Sequence, residues 1–201
     1  SDERMSAFVE MSGTPAGSVA ELGTNSDAVF VMVMNGVQAK AVILGDDGLV
    51  AHMPKGGAVI LTATIKPSEA RYIATALEGS GIHLIDSPVS GGFPGAQAGA
   101  LTMMAAATSE VLDQYKPIMD AVSKTIHRVG TQAGDGQVMK SCLQTLIGSI
   151  FGATFEAAAL AAKAGVSGQA LYDVFSTSGA SCGVANGALE NIIDRKFEGT
   201  G

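Results

Sequence analysis

The stretch Ala28-Val-Phe-Val-Met-Val-Met34 decides the fold class, because it is a continuous apolar run with turn-forming residues on both sides. A strand of a parallel sheet is covered by helices on both faces and so has this pattern, rather than an alternation of apolar and polar residues. Four further runs are predicted as strands, and these are Ala58–Ala63, Ile82–Asp86, Leu101–Ala106 and Thr125–Val129.

Helical patterns lie between several of the predicted strands. They are Gly36–Leu44, Pro67–Glu78 and Glu110–Val122. Pro67 stands in a first helical turn, where the missing N–H of proline costs nothing. Strands that alternate with helices predict βαβ units, and therefore an α/β domain with a largely parallel sheet over residues 1–132.

Downstream of the last predicted strand the pattern changes. From about Gly136 to Ala164 there is no strand pattern, and Ala, Leu, Ile, Met and Phe dominate. This segment is predicted to be one long, almost wholly buried helix that links the two domains. Gly165 suits the position just past a helix end, and Ser167 could cap a following helix, Gln169–Ser176. An all-helical domain is therefore predicted for 133–201.

Composition narrows the class of partner. The net charge of −7, with only 12 Lys and Arg, argues against nucleic acid and against an anionic membrane surface. No uninterrupted apolar run reaches the roughly 20 residues needed to cross a bilayer. The two cysteines are too few for a disulfide framework or a metal site, which favours a reducing cytoplasm. Small-molecule or protein partners are expected instead.

Lys140 is the first candidate for chemistry, because it is the only cation between Arg128 and Lys163 and lies inside the apolar helix. A lysine on a buried helix face is costly unless it is paired or faces a wet cleft, and such lysines often have functional pKa shifts. The alternative is a lysine that extends to solvent at the helix edge. Gln144, four residues on, is expected on the same helix face.

A glycine-rich loop, Asp86-Ser-Pro-Val-Ser-Gly-Gly-Phe-Pro-Gly-Ala-Gln-Ala-Gly99, follows directly after a predicted strand. Ligands of open α/β sheets bind outside the carboxyl ends of strands. The hydroxyl of Ser90 and the backbone N–H groups of Gly91 and Gly92 could approach a carboxylate closely. The alternative is an ordinary glycine-rich loop.

Together these two segments resemble the β-hydroxyacid dehydrogenases of the 3-hydroxyisobutyrate dehydrogenase type. The start of the loop is similar to the substrate-binding signature of that family, and Gly134-Asp-Gly-Gln-Val-Met-Lys-Ser-Cys-Leu-Gln144 is similar to its catalytic helix. The resemblance implies hydride transfer between NAD or NADP and a short hydroxy acid. Lys140 would be the catalytic acid/base, and the substrate-binding residues would be Ser90, Gly91, Gly92, Gln144 and Asn186.

The resemblance extends to the cofactor side and to the substrate. Val33-Met-Asn-Gly-Val-Gln38 resembles a turn that lies against the dinucleotide, which implies that Met34 and Asn35 face the cofactor. Thr64 matches a threonine beside the nicotinamide. Most relatives have Asn where this chain has Gln144, whereas the branch similar to L-threonate dehydrogenases has Gln. The resemblance therefore favours an acid with additional hydroxyls.

The chain departs from the family because no G-x-G-x-x-G follows a strand. We therefore expect a chain truncated at both ends, with a partial Rossmann-type sheet that lacks its first βαβ unit and an incomplete helical domain. The alternative is an inactive remnant that serves as an acid-binding or dimerising scaffold. A decarboxylating relative of the 6-phosphogluconate dehydrogenase kind would need cations for a phosphate, and the catalytic helix offers only Lys140. A homo-oligomer is expected.

Overall fold

The computed structural model describes residues 2–197 of the chain. The strands are β1 (Ala28–Val31), β2 (Ala58–Leu61), β3 (His83–Asp86), β4 (Val89–Ser90), β5 (Leu101–Ala106) and β6 (Ser123–Gly130). The helices are α1 (Asp2–Glu10), α2 (Val19–Thr24), α3 (Gly36–Leu44), α4 (Leu49–His52), α5 (Pro67–Leu77), α6 (Gly92–Gln97), α7 (Ser109–Asp120), α8 (Asp135–Lys163), α9 (Gly168–Thr177) and α10 (Gly183–Ile193).

The six strands form one mixed sheet. β1, β2 and β3 are parallel neighbours in that order. β3 and β4 then both pair antiparallel with β5, with Asp86 opposite Ala106 and Val89 opposite Met103. β6 is parallel to β5. The predicted α/β fold is confirmed, and the antiparallel step arises because only the short α6, and no crossover helix, connects β4 to β5.

Both faces of the sheet are covered, as the apolar runs predict. All four residues of β2 are buried, and their side chains alternate between two core clusters. Val59 and Leu61 pack in one cluster with residues of α3 and α5. Ala58 and Ile60 pack in the other with residues of α7. A strand buried on both faces therefore needs the continuous apolar pattern that identified it.

Local residues account for several helix ends. Asn35 caps α3 by accepting a hydrogen bond from Gln38 N, and Ser167 caps α9 by accepting one from Ala170 N. Gly165 follows α8 with a φ of +77°, a conformation that favours glycine and ends the helix. The predicted cap and the predicted stop are both confirmed.

Helix α8 matches the predicted range, but the prediction that it is almost wholly buried is wrong for the described residues. Its first residues pack on the sheet, whereas Leu146, Phe151, Phe155 and Leu160 are exposed. The apolar composition shows what a helix is able to bury but not what covers it. Among the described helices, only α8 is long and apolar enough to cross a membrane.

The chain divides into two compact units after Lys140. The first unit contains the sheet, its covering helices and the start of α8. The second contains the remainder of α8 with α9 and α10. The sequence places its boundary eight residues earlier, at residue 132, because the strand pattern ends there.

Candidate active site

The parallel strands bring three turns to one edge of the sheet. β1, β2 and β3 end at Val31, Leu61 and Asp86, and Val31 is in register with Leu61 and Leu61 with Asp86. The segments that follow these strands therefore begin side by side. This is the edge at which open α/β sheets bind ligands.

The carboxylate of Asp86 joins this edge to the start of α8. It is fully buried, and its Oδ2 accepts hydrogen bonds from Gly134 N at 2.8 Å and Gln137 N at 3.3 Å. N–H groups of a first helical turn lack intrahelical partners, so a carboxylate is favourable there. Burial raises the pKa of Asp86 above its ordinary value, and the hydrogen bonds from Gln137 and Gly134 act in the opposite direction.

The side chain of Gln137 is also fully buried and forms hydrogen bonds with both strand ends. Its Nε2 donates to Asp86 Oδ1 at 2.8 Å and to the carbonyl oxygen of Ala63 at 3.1 Å. Its Oε1 accepts from Ile65 N at 3.0 Å. The amide therefore binds the backbone on both sides of Thr64.

Glycine allows the close approach of α8 to the sheet. A Cβ on Gly136 would lie 2.7 Å from the carbonyl oxygens of both Asp86 and Met104. Gly134 has a φ of +96°, and a Cβ there would lie 3.0 Å from the carbonyl oxygen of Pro67. The two glycines of this segment are thus required by backbone contacts.

Lys140 lies one turn further along α8 and is only 8% exposed. Its Nζ donates a hydrogen bond to the carbonyl oxygen of Val89 at 2.8 Å, beside the glycine-rich loop. None of the ion pairs formed by residues 2–197 includes this lysine. Burial without a counter-charge lowers the pKa of Lys140 below its ordinary value of 10.5.

The predicted carboxylate-binding loop follows that contact directly. Ser90 is half-buried and pairs with Thr102 across the β4–β5 ladder. Gly91 and Gly92 are exposed, with φ of +131° and +58°, conformations that residues with a Cβ rarely adopt. The loop thus places the hydroxyl residue Ser90 and two exposed glycines next to the carbonyl that binds Lys140.

The predicted cofactor-side residues lie in the turns after β1 and β2. Met34 is 84% exposed, and its N–H donates to Gln38 Oε1. The side-chain oxygen of Asn35 caps α3, so that atom already has a partner within the chain. Thr64 is exposed between two buried neighbours. Met34 and Thr64 are therefore accessible at the same edge of the sheet.

Two predicted substrate residues belong to the second unit. Gln144 is exposed on α8. Asn186 is half-buried on α10, where its Nδ2 donates to Ser181 Oγ at 3.2 Å. Its Oδ1 is buried and has no hydrogen-bond partner among the described residues. The roles of Gln144 and Asn186 in substrate binding stay predictions.

Asp86 and Gln137 were not predicted as functional residues, although Asp86 begins the glycine-rich loop motif and Gln137 lies within the catalytic-helix motif. The available signals were an acidic residue that ends an apolar strand and an amide within an apolar helix, three residues before Lys140. A polar residue at a position predicted to be buried must find a hydrogen-bond partner. The sequence did not show that each would be the other's partner.

No group of three or more His, Cys, Asp and Glu side chains that could hold a metal ion occurs within residues 2–197.

Comparison with known proteins gives two family matches. Residues 1–130 match the NAD binding domain of 6-phosphogluconate dehydrogenase. Residues 134–201 match the NAD-binding domain of NADP-dependent 3-hydroxyisobutyrate dehydrogenase. The second matched region contains the whole of α8.

Individual relatives agree with these matches. The chain is 34% identical over 180 residues to L-threonate dehydrogenase of Escherichia coli O6:H1, covering 90% of this chain and 60% of the relative. It is 34% identical over 191 residues to L-threonate dehydrogenase of Cupriavidus necator, covering 95% and 64%. The crystal structure of a 3-hydroxyisobutyrate dehydrogenase from Salmonella typhimurium superposes with a TM-score of 0.85 at 31% identity, covering 95% and 67%.

The chain thus spans somewhat less than two thirds of the length of the curated relatives it matches. A family model covers more than half of the chain, and the buried lysine, the glycine-rich loop and the carboxyl-edge turns all lie within the two matched regions. On this evidence the chain belongs to the NAD(P)-dependent β-hydroxyacid dehydrogenase family.

Proposed function

We propose that the full-length protein oxidises a short β-hydroxy acid, with NAD or NADP as the hydride acceptor. The observation that carries this proposal is the setting of Lys140. Its amine is nearly buried, it bonds to the carbonyl of Val89, and it adjoins the loop that could hold a carboxylate. Burial lowers the pKa of Lys140, which favours the unprotonated amine that a general base requires.

The substrate would be held by the glycine-rich loop. The hydroxyl of Ser90 and the N–H groups of Gly91 and Gly92 would bind its carboxylate. The amine of Lys140 would then accept the proton of the substrate hydroxyl as the C–H bond is broken. The cofactor, when bound, accepts the hydride. In the reverse direction the ammonium of Lys140 would return the proton to the forming hydroxyl.

The cofactor-side turns fit one half of a dinucleotide. Met34 and Thr64 are exposed at the ligand-binding edge. These residues would contact the nicotinamide half. The chain itself has no glycine-rich turn of the kind that binds a pyrophosphate at a helix N-terminus.

The substrate class proposed is a hydroxy acid with at least one further hydroxyl, similar to threonate. Gln144 supports this, since a primary amide can both donate to and accept from a hydroxyl. The L-threonate dehydrogenases among the relatives point in the same direction.

Formation of reduced nicotinamide by the full-length protein tests the proposed reaction. The assay uses NAD and NADP separately with L-threonate, L-serine and 3-hydroxyisobutyrate, with acetate as a carboxylate that lacks the hydroxyl. Turnover with a hydroxy acid and none with acetate is expected. No turnover with any of the hydroxy acids would contradict the proposal.

The same proposal includes a homo-oligomer in the cytoplasm. The free cysteines, Cys142 and Cys182, suit a reducing compartment. Exposed apolar side chains on α8 are compatible with self-association. Light scattering after size-exclusion chromatography tests the oligomer, and a monomer at all concentrations would contradict it.

A further inference from the structure

The Gln137 amide holds the turn that carries Thr64 from both sides. Its Oε1 accepts from the N–H of Ile65, and its Nε2 donates to the carbonyl of Ala63. Thr64 itself, between these two residues, is exposed at the ligand-binding edge. The turn is therefore held by a side chain of α8, in addition to hydrogen bonds of the sheet.

The same amide is bonded to the segment that leads to the glycine-rich loop. Its Nε2 donates to Asp86 Oδ1, while Asp86 Oδ2 accepts from the first-turn N–H groups of α8. Three residues after Gln137, the ammonium of Lys140 reaches Val89 on that segment. The start of α8 is thus bonded to the ends of two neighbouring strands.

Only a primary amide of this length meets all of these demands. The position requires one acceptor for Ile65 N and two donors, for Ala63 O and Asp86 Oδ1. A glutamate has no N–H to donate and would place a second carboxylate beside Asp86. A methionine fills a similar volume but offers no donor. Because Gln137 is fully buried, water cannot easily replace the lost partners.

We propose that Gln137 is a positioning residue that keeps Thr64, on the cofactor side, in a constant relation to Lys140, on the substrate side. The inference rests on the proposed function for the roles of those two residues. Hydride and proton transfer need their donors and acceptors placed together, and a misplacement of about 1 Å can cost on the order of 10²-fold in rate. Gln137 contributes to catalysis through Thr64 and Lys140, without contacting the substrate.

The first test measures amide hydrogen exchange in the 201-residue chain and does not depend on activity. Gln137→Met is compared with Gln132→Met, which changes an exposed glutamine of the preceding loop. We expect exchange of the Ile65 amide to rise by about tenfold or more in Gln137→Met only. The Thr62 amide, which donates to Val31 O, should keep its rate. An unchanged Ile65 rate would overturn the inference.

The second test measures steady-state kinetics of the full-length protein at a temperature where the variants are folded. Gln137→Met should lower kcat by about 10–100-fold while KM for the hydroxy acid changes by less than about threefold. Gln132→Met should match the wild type. A lower melting temperature with an unchanged kcat would show a purely structural role and overturn the inference.

Two further outcomes keep the inference separate from the proposed function. If Gln137→Met does not fold, Gln137→Asn is used in its place, because the shorter amide of asparagine cannot reach both sides of the Thr64 turn. A loss of kcat of the same size in Gln137→Asn supports the inference, and a normal kcat overturns it. If the full-length protein has no dehydrogenase activity, the proposed function fails. The Ile65 exchange rate then decides alone whether Gln137 holds the turn.

Discussion

Gly136 of α8 lies so close to Asp86 of β3 that a Cβ on the glycine would be 2.7 Å from the aspartate's carbonyl oxygen. The same atom would lie equally close to Met104 O. Both oxygens belong to sheet strands and cannot move aside cheaply. This contact places the start of α8, the helix that follows β6, directly against β3 and β5.

Gly136→Ala should therefore destabilise the protein. Alanine favours a helix by about 0.5–1 kcal/mol over glycine, but forcing a methyl group into a closed contact costs about 1–3 kcal/mol. The overlap is with backbone, so we expect the cost to prevail. Urea unfolding measures the difference. Gly152→Ala is the control on the same helix, where nothing lies within 4 Å, and it should stabilise. Equal effects of the two substitutions would contradict the close contact of Gly136 with the backbone of β3 and β5.

The buried carboxylate of Asp86 should lower the free energy of unfolding as the pH rises from the acidic range. Its pKa in the folded protein is raised by burial above the ordinary 3.8. Between 3.8 and the raised value, the folded state binds more protons than the unfolded state, so stability falls as the pH rises through this window. The stability of the wild type relative to Asp86→Asn should thus increase as the pH is lowered from 7 towards 4. Urea unfolding of both proteins at several pH values measures this, and a difference that shrinks on acidification would refute it.

The sheet strands and main helices could be predicted because their signals are local. The run at Ala58–Leu61 is buried on both faces, and Pro67 and Ser167 mark helix starts. Two strand ends were predicted too late, at Met34 rather than Val31 and at Ala63 rather than Leu61, because apolar residues continue into the turns. The pattern of apolar residues indicates which positions are buried, but it does not show where the hydrogen bonds between two strands end.

The bonding of Asp86 to Gln137 could not be predicted, because it joins residues 51 positions apart in sequence. The sequence shows that Lys140 has no other cation near it along the helix, but it does not show that the amine contacts the carbonyl of Val89. The exposure of most of α8 was also unforeseen, since composition does not identify the surface that covers a helix.

Substrate preference tests the proposed roles of the second unit. With the full-length protein, kcat/KM for L-threonate should exceed that for 3-hydroxyisobutyrate, because under the proposed function an additional hydroxyl would bind the amides of Gln144 and Asn186. Loss of a hydrogen bond to a site built for it costs about 1–3 kcal/mol. Gln144→Leu should narrow the preference, whereas Gln169→Leu, on the exposed face of α9, should leave it unchanged. If the wild type prefers 3-hydroxyisobutyrate, the proposed substrate class is wrong.

The role of Lys140 is the central claim, and the pH dependence of kcat/KM for hydroxy acid oxidation tests it most directly. The full-length wild type should gain activity as the pH rises through an apparent pKa below 10.5, because oxidation requires the unprotonated amine and burial lowers the pKa of Lys140. Lys140→Met should lose this limb of the profile, with kcat reduced by about 10²–10⁴-fold. Lys163→Met, at the exposed end of α8, should keep the rise of activity with pH and the wild-type kcat. A folded Lys140→Met protein with the wild-type profile and near-normal turnover would contradict the account.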